Sequence, residues 1–183
     1  MGPRRRGHSV TENEIRLLVL DVDGVLTDGG LLFDEDGRAL RRFHIRDGLG
    51  IAMWRLVGRR SAILTSKRSA AIEARANMLR IDLVEQGAED KLPGLERILA
   101  ETGVSARQTA YVGDDLLDLV AMRRVGYPIA VADAVPEVRR AARFVTSHPG
   151  GHGAVREAIE HLLKRDQAWD AAVRAIGADR GSE

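Results

Sequence analysis

The stretch LLVLDVDGVLTDGG, residues 17–30, places acidic side chains directly after an apolar run. The four apolar residues Leu17–Leu20 are typical of a strand that is buried on both faces. Asp21, Asp23 and Asp28 follow, with glycines and a threonine between them. Carboxylates that lie close together repel one another and are costly to remove from water. We therefore expect a divalent cation to offset this cost.

Strand and helix patterns alternate along the rest of the chain. Short apolar segments predict strands, and longer amphipathic segments predict helices. The predicted strands are 60–67, 81–86, 108–115, 127–133 and 143–147, and the predicted helices are 46–59, 69–80, 91–103, 116–126, 135–142 and 153–177, the last with a break near Asp166. This alternation predicts an α/β fold, a Rossmann-like, doubly wound parallel sheet with right-handed crossovers.

Residues 29–46 depart from this alternation and predict a protruding β-hairpin. Its expected strands are Leu31–Phe33 and Ala39–Ile45, joined by a turn at residues 34–37. A two-stranded ribbon is marginal by itself, and the three apolar residues of its first strand are unsuited to water. The hairpin therefore needs a further surface to pack against, and its own domain is one candidate.

Composition narrows the class of protein. The chain has 183 residues, a net charge of +1 and no cysteine, so disulfides and thiolate chemistry are excluded. Three Phe, two Tyr and two Trp give few platforms for nucleic acid, and no apolar run reaches the ~20 residues of a membrane span. The arginines of MGPRRRGHSV predict a solvated tail rather than a polyanion-binding arm. We expect a cytoplasmic protein without a nucleic-acid or membrane partner.

Polar residues follow several predicted strands, where ligands bind in parallel α/β sheets. The set comprises Asp21, Asp23, Thr65, Ser66, Lys91, Asp114, Asp115 and Asp118. Two carboxylates two residues apart share a face of extended chain, so one can hold a metal and attack while the other carries a proton. Oxygen ligands suit Mg²⁺, and hydroxyl and ammonium groups suit a phosphate. Taken singly, the hydroxyl and acidic residues are also explained as helix caps, and Lys91 as a solvated lysine.

The ordered set resembles the four motifs of the haloacid dehalogenase superfamily. DVDGVLTDG (21–29) is similar to its first motif, ILTS (63–66) to its second, Lys91 to its third and VGDDLLD (112–118) to its fourth. The likeness is closer to the branch of 3-deoxy-D-manno-octulosonate (KDO) 8-phosphate phosphatases, which have no large cap domain. The hairpin with its Arg-Asp-Gly sequence, QGAEDKL, IAVADAVPEV and GGHGAVRE also resemble that branch, so the likeness covers about residues 15–163.

The resemblance implies roles for these residues and a division of the chain. Asp21 would be the nucleophile and Asp23 the general acid and base of a phosphatase with an aspartyl-phosphate intermediate. The resemblance implies Mg²⁺ bound by Asp21, the Asp23 carbonyl and Asp114, and phosphate held by Thr65, Ser66 and Lys91. From their place next to Asp114, we expect Asp115 and Asp118 to be further ligands or to support the ligands. It also implies a homotetramer whose hairpins complete neighbouring active sites. The expected parts are a disordered basic tail at 1–12, a phosphatase domain at 13–165 and a C-terminal helix or tail at 166–183.

The residues expected to contact the substrate depart from the family pattern. Ser66-Lys67 stands where the KDO 8-phosphate branch usually has Gly-Arg, and a sialic-acid-type branch has a glutamate at the position of Lys67. Arg75 matches an arginine suited to a substrate carboxylate, and Met78 lies on the same face of its predicted helix. Met78 is otherwise explained as ordinary core.

Several functions remain open at this point. The leading substrate is KDO 8-phosphate, followed by a nonulosonate 9-phosphate and by a modified sugar or nucleoside phosphate. A non-catalytic relative that serves in oligomerisation is disfavoured because the acids of the first motif are retained. A phosphoacceptor receiver domain is also doubly wound, but it lacks the hairpin and the Asp-x-Asp-Gly-x-x-Thr-Asp sequence.

Overall fold

A six-stranded parallel sheet forms the centre of the protein. The structure is a computed structural model, and it describes residues 14–179. The strands of the sheet are β1 (Leu17–Leu20), β4 (Arg60–Thr65), β5 (Leu83–Gln86), β6 (Thr109–Gly113), β7 (Tyr127–Ala130) and β8 (Phe144–Val145). Their spatial order is β5-β4-β1-β6-β7-β8, with every neighbouring pair parallel. The predicted Rossmann-like sheet is confirmed, and no large cap domain is evident among the described residues.

Helices connect the strands and cover the sheet. They are α1 (Ile45–Leu56), α2 (Ala70–Leu79), α3 (Lys91–Thr102), α4 (Leu119–Arg124), α5 (Pro136–Ala141), α6 (Ala154–Arg165) and α7 (Trp169–Asp179). Helix α1 packs against α6 and α7, whereas α3 packs against α4 and α4 against α5. The first strand is fully buried between them, as its run of apolar residues predicts.

Local sequence explains where several helices begin and end. The side chain of Asp90 caps α3 by accepting a hydrogen bond from the Leu92 N–H, and Gly103 ends that helix in the left-handed conformation. The break predicted near Asp166 is present, because α6 ends there and α7 begins at Trp169. Trp169 packs against the core and thereby anchors the last helix.

The hairpin is shorter than the sequence predicts. Its strands are β2 (Leu32–Phe33) and β3 (Ala39–Leu40), which pair antiparallel. The expected second strand, Ala39–Ile45, is wrong beyond Leu40, because residues 41–44 leave the ladder and α1 begins at Ile45. The apolar side chains of the hairpin remain exposed to solvent in the single chain, with Phe33 at 62%.

The chain topology brings one end of each strand to a common edge. All six strands are parallel, so the residues that follow β1, β4 and β6 lie beside one another. Within residues 14–179, none of the helices is long and apolar enough to cross a membrane. The predicted basic tail at 1–12 lies outside the described residues.

Candidate active site

Lys91 lies at the centre of the polar cluster, buried between two carboxylates. It is the first residue of α3, and only 2% of its surface is exposed. Its Nζ lies 2.8 Å from Asp21 Oδ2 and also donates to Asp118 Oδ1. Asp21 follows β1 directly, so the predicted neighbours from the first, third and fourth motifs are in contact. A buried ammonium in this position neutralises part of the negative charge of the pair.

Asp118 holds the cluster together rather than standing open to a ligand. Besides Lys91, it accepts hydrogen bonds from the Tyr111 hydroxyl at 2.7 Å and from the backbone N–H groups of Asp114 and Asp115 at 2.9 and 3.2 Å. Both of its oxygens are therefore occupied by donors. Burial and the charge of Asp118 raise the pKa of Tyr111 well above its usual value, so the phenol stays a hydrogen-bond donor.

Tyr111 is a site residue that sequence reasoning missed. It is fully buried in β6, three residues before the acidic pair that follows that strand. A hydroxyl in a buried strand requires a hydrogen-bond partner, and this requirement is the signal that the sequence offered.

Asp21 and Asp114 offer oxygen atoms that fit a divalent cation. One oxygen each of Asp21, Asp114 and Asp118 lie within 4.8 Å of one another. Asp114 Oδ1 is buried without a hydrogen-bond partner, whereas Asp118 is already engaged by donors. An unpaired buried carboxylate oxygen is costly unless a cation binds it, and carboxylate oxygens are the ligands that Mg²⁺ prefers. The donor set therefore fits the expected metal.

The pKa values of the Asp21 and Asp114 carboxyl groups are raised. Burial is the largest cause for each, followed by repulsion from Asp118. The pKa of Asp114 rises to about 8, with a further contribution from Asp21. The pKa of Asp21 rises only to about 6, because Lys91 opposes the increase. This repulsion is the cost that a bound cation removes.

Asp23 is directed toward a different partner. Its carboxylate accepts a two-pronged contact from Arg41, with Nε at 2.9 Å from Oδ1 and Nη2 at 3.1 Å from Oδ2. Its carboxylate is therefore not among the clustered oxygens, and only its backbone carbonyl stays available for the predicted metal role. Asp28 also lies apart, where it accepts hydrogen bonds from the Gly30 N–H and from Arg42. The sequence suggested a cost of repulsion and desolvation among Asp21, Asp23 and Asp28. In the structure, this cost concerns Asp21 together with Asp114 and Asp118, which follow β6.

The loop after β1 depends on a glycine that leaves room for Asp114. Gly24 has φ of +88°, and a Cβ there would lie 2.1 Å from Asp114 Oδ2. Thr27 is buried, and its hydroxyl accepts from the N–H groups of Gly24 and Gly29 at 3.3 Å each. These features explain why the motif places a glycine and a threonine between its acids.

Thr65, Ser66 and Lys67 follow β4, the strand beside β1. Thr65 is buried, and its Oγ1 accepts from the Lys67 N–H at 3.3 Å. Ser66 is half-buried and the side chain of Lys67 is exposed. The parallel pairing of β1 with β4 therefore brings these donors to the edge that carries Asp21.

Arg75 joins α2 to the segment that follows the hairpin. Its Nη2 donates to the His44 carbonyl at 3.2 Å, and its Nη1 lies 3.3 Å from Met78 Sδ. A Cβ on Gly48 would lie 2.6 Å from Arg75 Nη2, so the glycine of the Arg-Asp-Gly sequence admits this side chain. Met78 is 72% exposed in the single chain, so it is not a core methionine.

Asp115 has a local structural role. Its carboxylate accepts from the Leu116 N–H and caps the short 3₁₀ turn Leu116–Asp118. It thereby helps to fix the turn that orients Asp118.

A separate cavity of about 1340 Å³ lies at the opposite edge of the sheet. Its lining includes Ile15 and Arg107, which lie just before strands, and Tyr127 at the start of β7. None of the predicted site residues lines it, so it does not belong to the acidic site.

Known proteins have similar sequences and similar folds. A model of the haloacid dehalogenase-like hydrolase family matches residues 66–159. The KDO 8-phosphate phosphatase KdsC of Yersinia pestis is 43% identical over 158 residues, which are 86% of this chain and 84% of the relative. The enzyme of the same name from Escherichia coli K12 is 40% identical over 158 residues, with the same coverage of both chains.

Solved structures agree with these relatives. The KDO 8-phosphate phosphatase of Moraxella catarrhalis, solved with magnesium, phosphate and KDO, superposes with a TM-score of 0.86 at 36% identity, covering 90% of this chain and 95% of that one. The phosphatase of Y. pestis gives a TM-score of 0.84 at 40% identity, covering 87% and 86%. With the acid cluster and Lys91 in place, this chain belongs to the haloacid dehalogenase-like hydrolases, in the branch that contains the KDO 8-phosphate phosphatases.

Proposed function

We propose that the protein is a magnesium-dependent phosphatase that hydrolyses a phosphorylated sugar acid, with KDO 8-phosphate as the leading substrate. The observation that carries the proposal is the contact of Lys91 with Asp21, beside the unpaired oxygen of Asp114. This arrangement supplies a nucleophile, a phosphate-binding cation and oxygen ligands for Mg²⁺ at one edge of the sheet. The relatives and solved structures described above support the substrate class.

Asp21 is the proposed nucleophile. One of its oxygens attacks phosphorus, the bond from phosphorus to the sugar oxygen breaks, and an aspartyl-phosphate forms. Asp23 gives a proton to the departing sugar oxygen and then takes one from the water that attacks phosphorus. As water attacks, the bond from phosphorus to the Asp21 oxygen breaks, phosphate leaves, and both carboxyl groups return to their starting forms. Bound Mg²⁺ would supply positive charge that screens the phosphate from the carboxylates.

The phosphate is proposed to bind between Lys91 and the end of β4. Lys91 offers a fixed positive charge, and Thr65 and Ser66 offer hydroxyl and backbone N–H donors. Because Lys91 is buried and held by two acids, it is in position before substrate arrives and loses little freedom on binding.

The sugar acid is proposed to extend toward α2. Arg75 has the guanidinium that suits a carboxylate. Burial lowers the pKa of this group, and the nearby charge of Asp47 opposes the decrease. Lys67, which precedes α2, and Met78, on α2, are exposed and are proposed to select among substrates. A nonulosonate 9-phosphate is the second candidate because Lys67 matches neither branch.

We propose a cytoplasmic homotetramer in which the hairpin of one subunit completes the site of the next. The support is a group of apolar side chains that the single chain leaves exposed: Leu31, Leu32, Phe33, Leu40 and Ile45. Exposed clusters of this kind mark interaction surfaces.

The proposal is tested by phosphate release across a panel of substrates. The panel contains KDO 8-phosphate, nonulosonate 9-phosphates, hexose phosphates and nucleotides, each with Mg²⁺ or with EDTA. We expect one sugar-acid phosphate to be hydrolysed far faster than the rest, only with Mg²⁺, and not by Asp21→Asn. Preference for a nonulosonate phosphate would replace the leading substrate. Absence of hydrolysis while Mg²⁺ still binds would contradict a phosphatase acting on these compounds and favour a non-catalytic relative.

A further inference from the structure

Arg41 is buried next to the proposed acid and base, although it belongs to the segment that leaves the hairpin. It directly follows β3, and only 8% of its side chain is exposed. Within the described chain, the hydrogen bonds of its side chain go to Asp23 alone, through Nε and Nη2. Its third nitrogen, Nη1, is buried and has no partner.

The next residue along the chain provides a contrast. Arg42 is also an arginine paired with an aspartate of the same loop, Asp28, but 68% of its side chain is exposed. Exposed ion pairs contribute little to stability, and Arg42 has no contact with the proposed catalytic groups. The two neighbours therefore differ in burial and in which aspartate they hold.

A two-pronged contact fixes both the position and the plane of a carboxylate. A lysine would offer a single point charge and leave the carboxylate free to rotate. Burying a guanidinium with one unpaired nitrogen is unfavourable. In the described structure, the contact with Asp23 is the interaction that compensates for burying the Arg41 side chain.

We propose that Arg41 is a positioning residue that orients the Asp23 carboxyl group, which gives its proton to the leaving group and then takes a proton from the attacking water. This inference rests on the proposed function. Asp23 must lie within hydrogen-bond reach of the sugar oxygen that departs from phosphorus. Since Arg41 follows Leu40 of the exposed hairpin, it also connects the position of the hairpin to that of Asp23. Docking of the hairpin against a neighbouring subunit would thus stabilise the orientation of the acid.

The reaction itself provides a specific test, because leaving groups differ in their need for a proton. A sugar alkoxide must be protonated as it departs, whereas p-nitrophenolate is a stable anion. The value of kcat/KM covers the steps up to departure of the leaving group, so it isolates this proton transfer from the later hydrolysis. A residue that positions the acid should matter more for the sugar phosphate than for p-nitrophenyl phosphate.

We would measure kcat/KM on both substrates for the full-length wild type, Arg41→Ala, Arg41→Lys, Asp23→Ala and the matched control Arg42→Ala. The kcat/KM of Arg41→Ala is expected to fall about 100-fold for the sugar phosphate and only about tenfold for p-nitrophenyl phosphate. Asp23→Ala should likewise lose more activity on the sugar phosphate than on p-nitrophenyl phosphate. Arg41→Lys should remain impaired, and Arg42→Ala should retain wild-type values. Added guanidinium should restore part of the activity of Arg41→Ala, which a purely structural defect would not allow.

Equal losses of Arg41→Ala on both substrates, together with a leaving-group effect for Asp23→Ala, would overturn the inference. Wild-type activity of Arg41→Lys would also overturn it, because the two-pronged contact would then be unnecessary. If the wild type hydrolyses neither compound, the proposed function fails, and the inference fails with it. A wild type that is active without any leaving-group effect for Asp23→Ala would refute the role of Asp23 and, with it, that of Arg41.

Discussion

Replacing Lys91 with methionine should destabilise the fold as well as abolish catalysis. The ammonium lies between two carboxylates whose side chains are 12% and 1% exposed, those of Asp21 and Asp118. Removing one partner from a buried ion pair costs about 3–5 kcal/mol, because the remaining charge is left without compensation. At about 2–4 °C per kcal/mol for a chain of this size, the midpoint of thermal unfolding should fall by about 6–20 °C.

The loss of stability in Lys91→Met should depend on pH in a defined direction. Lys91 opposes the increase in the pKa of Asp21, so without it that pKa moves further above the unfolded value of 3.8. A group whose pKa is raised on folding binds more protons in the folded state, so its unfavourable effect grows as pH rises toward the folded pKa. The deficit of Lys91→Met should therefore be larger at pH 8 than at pH 5.

The assay is urea unfolding in EDTA, which keeps metal binding from masking the effect. The double variant Lys91→Met/Asp118→Asn should recover about 1–3 kcal/mol of the loss, because it removes one of the stranded charges. Lys164→Met is the matched control: Lys164 pairs with Glu160 at 3.0 Å on the surface, so its loss should stay below about 1 kcal/mol. Equal stability of wild type and Lys91→Met at both pH values would refute the account of the cluster.

Three further predictions concern the metal, the loop after β1 and the hairpin. Because the pKa of Asp114 is raised to about 8, Mg²⁺ must displace a proton at neutral pH; its affinity should rise by up to about tenfold per unit from pH 6 to pH 8, measured by calorimetry. Gly24→Ala places a Cβ 2.1 Å from Asp114 Oδ2 at φ of +88°, so it should weaken Mg²⁺ binding in the same assay and lower the unfolding midpoint. Phe33→Asp should shift the sedimentation coefficient toward that of a monomer, whereas an unchanged assembly would show that the hairpin is not the interface.

The parts of the fold that depend on local sequence were predictable. The apolar run of β1 and the cap residues of α3, Asp90 and Gly103, act within a few residues of the chain, so their patterns predict the elements directly. The end of the hairpin was not predictable in this way. The local sequence predicts a strand as far as Ile45, but the chain leaves the strand at Arg41, which contacts Asp23. These two residues are 18 positions apart, so local periodicity does not encode their contact.

The candidate site also has some features that the sequence predicts and others that it does not. The strand-end acids and Lys91 could be inferred from the sequence, because the parallel sheet brings those ends together. The separate roles of the acids could not, since they depend on which donors each carboxylate meets. Asp118 meets Tyr111 and Lys91, Asp23 meets Arg41, and Asp114 keeps an unpaired buried oxygen.

The most direct test of the proposed mechanism is to trap the phosphoryl group on the enzyme. Wild type would be mixed with a radiolabelled substrate that it hydrolyses, quenched in acid during the first turnover and mapped by peptide analysis. We predict Mg²⁺-dependent label on the peptide that contains Asp21, and none in Asp21→Asn, whose unfolding midpoint serves as the control for folding. Label on another residue, or phosphate release by Asp21→Asn at the wild-type rate, would contradict the assignment of Asp21 as the nucleophile.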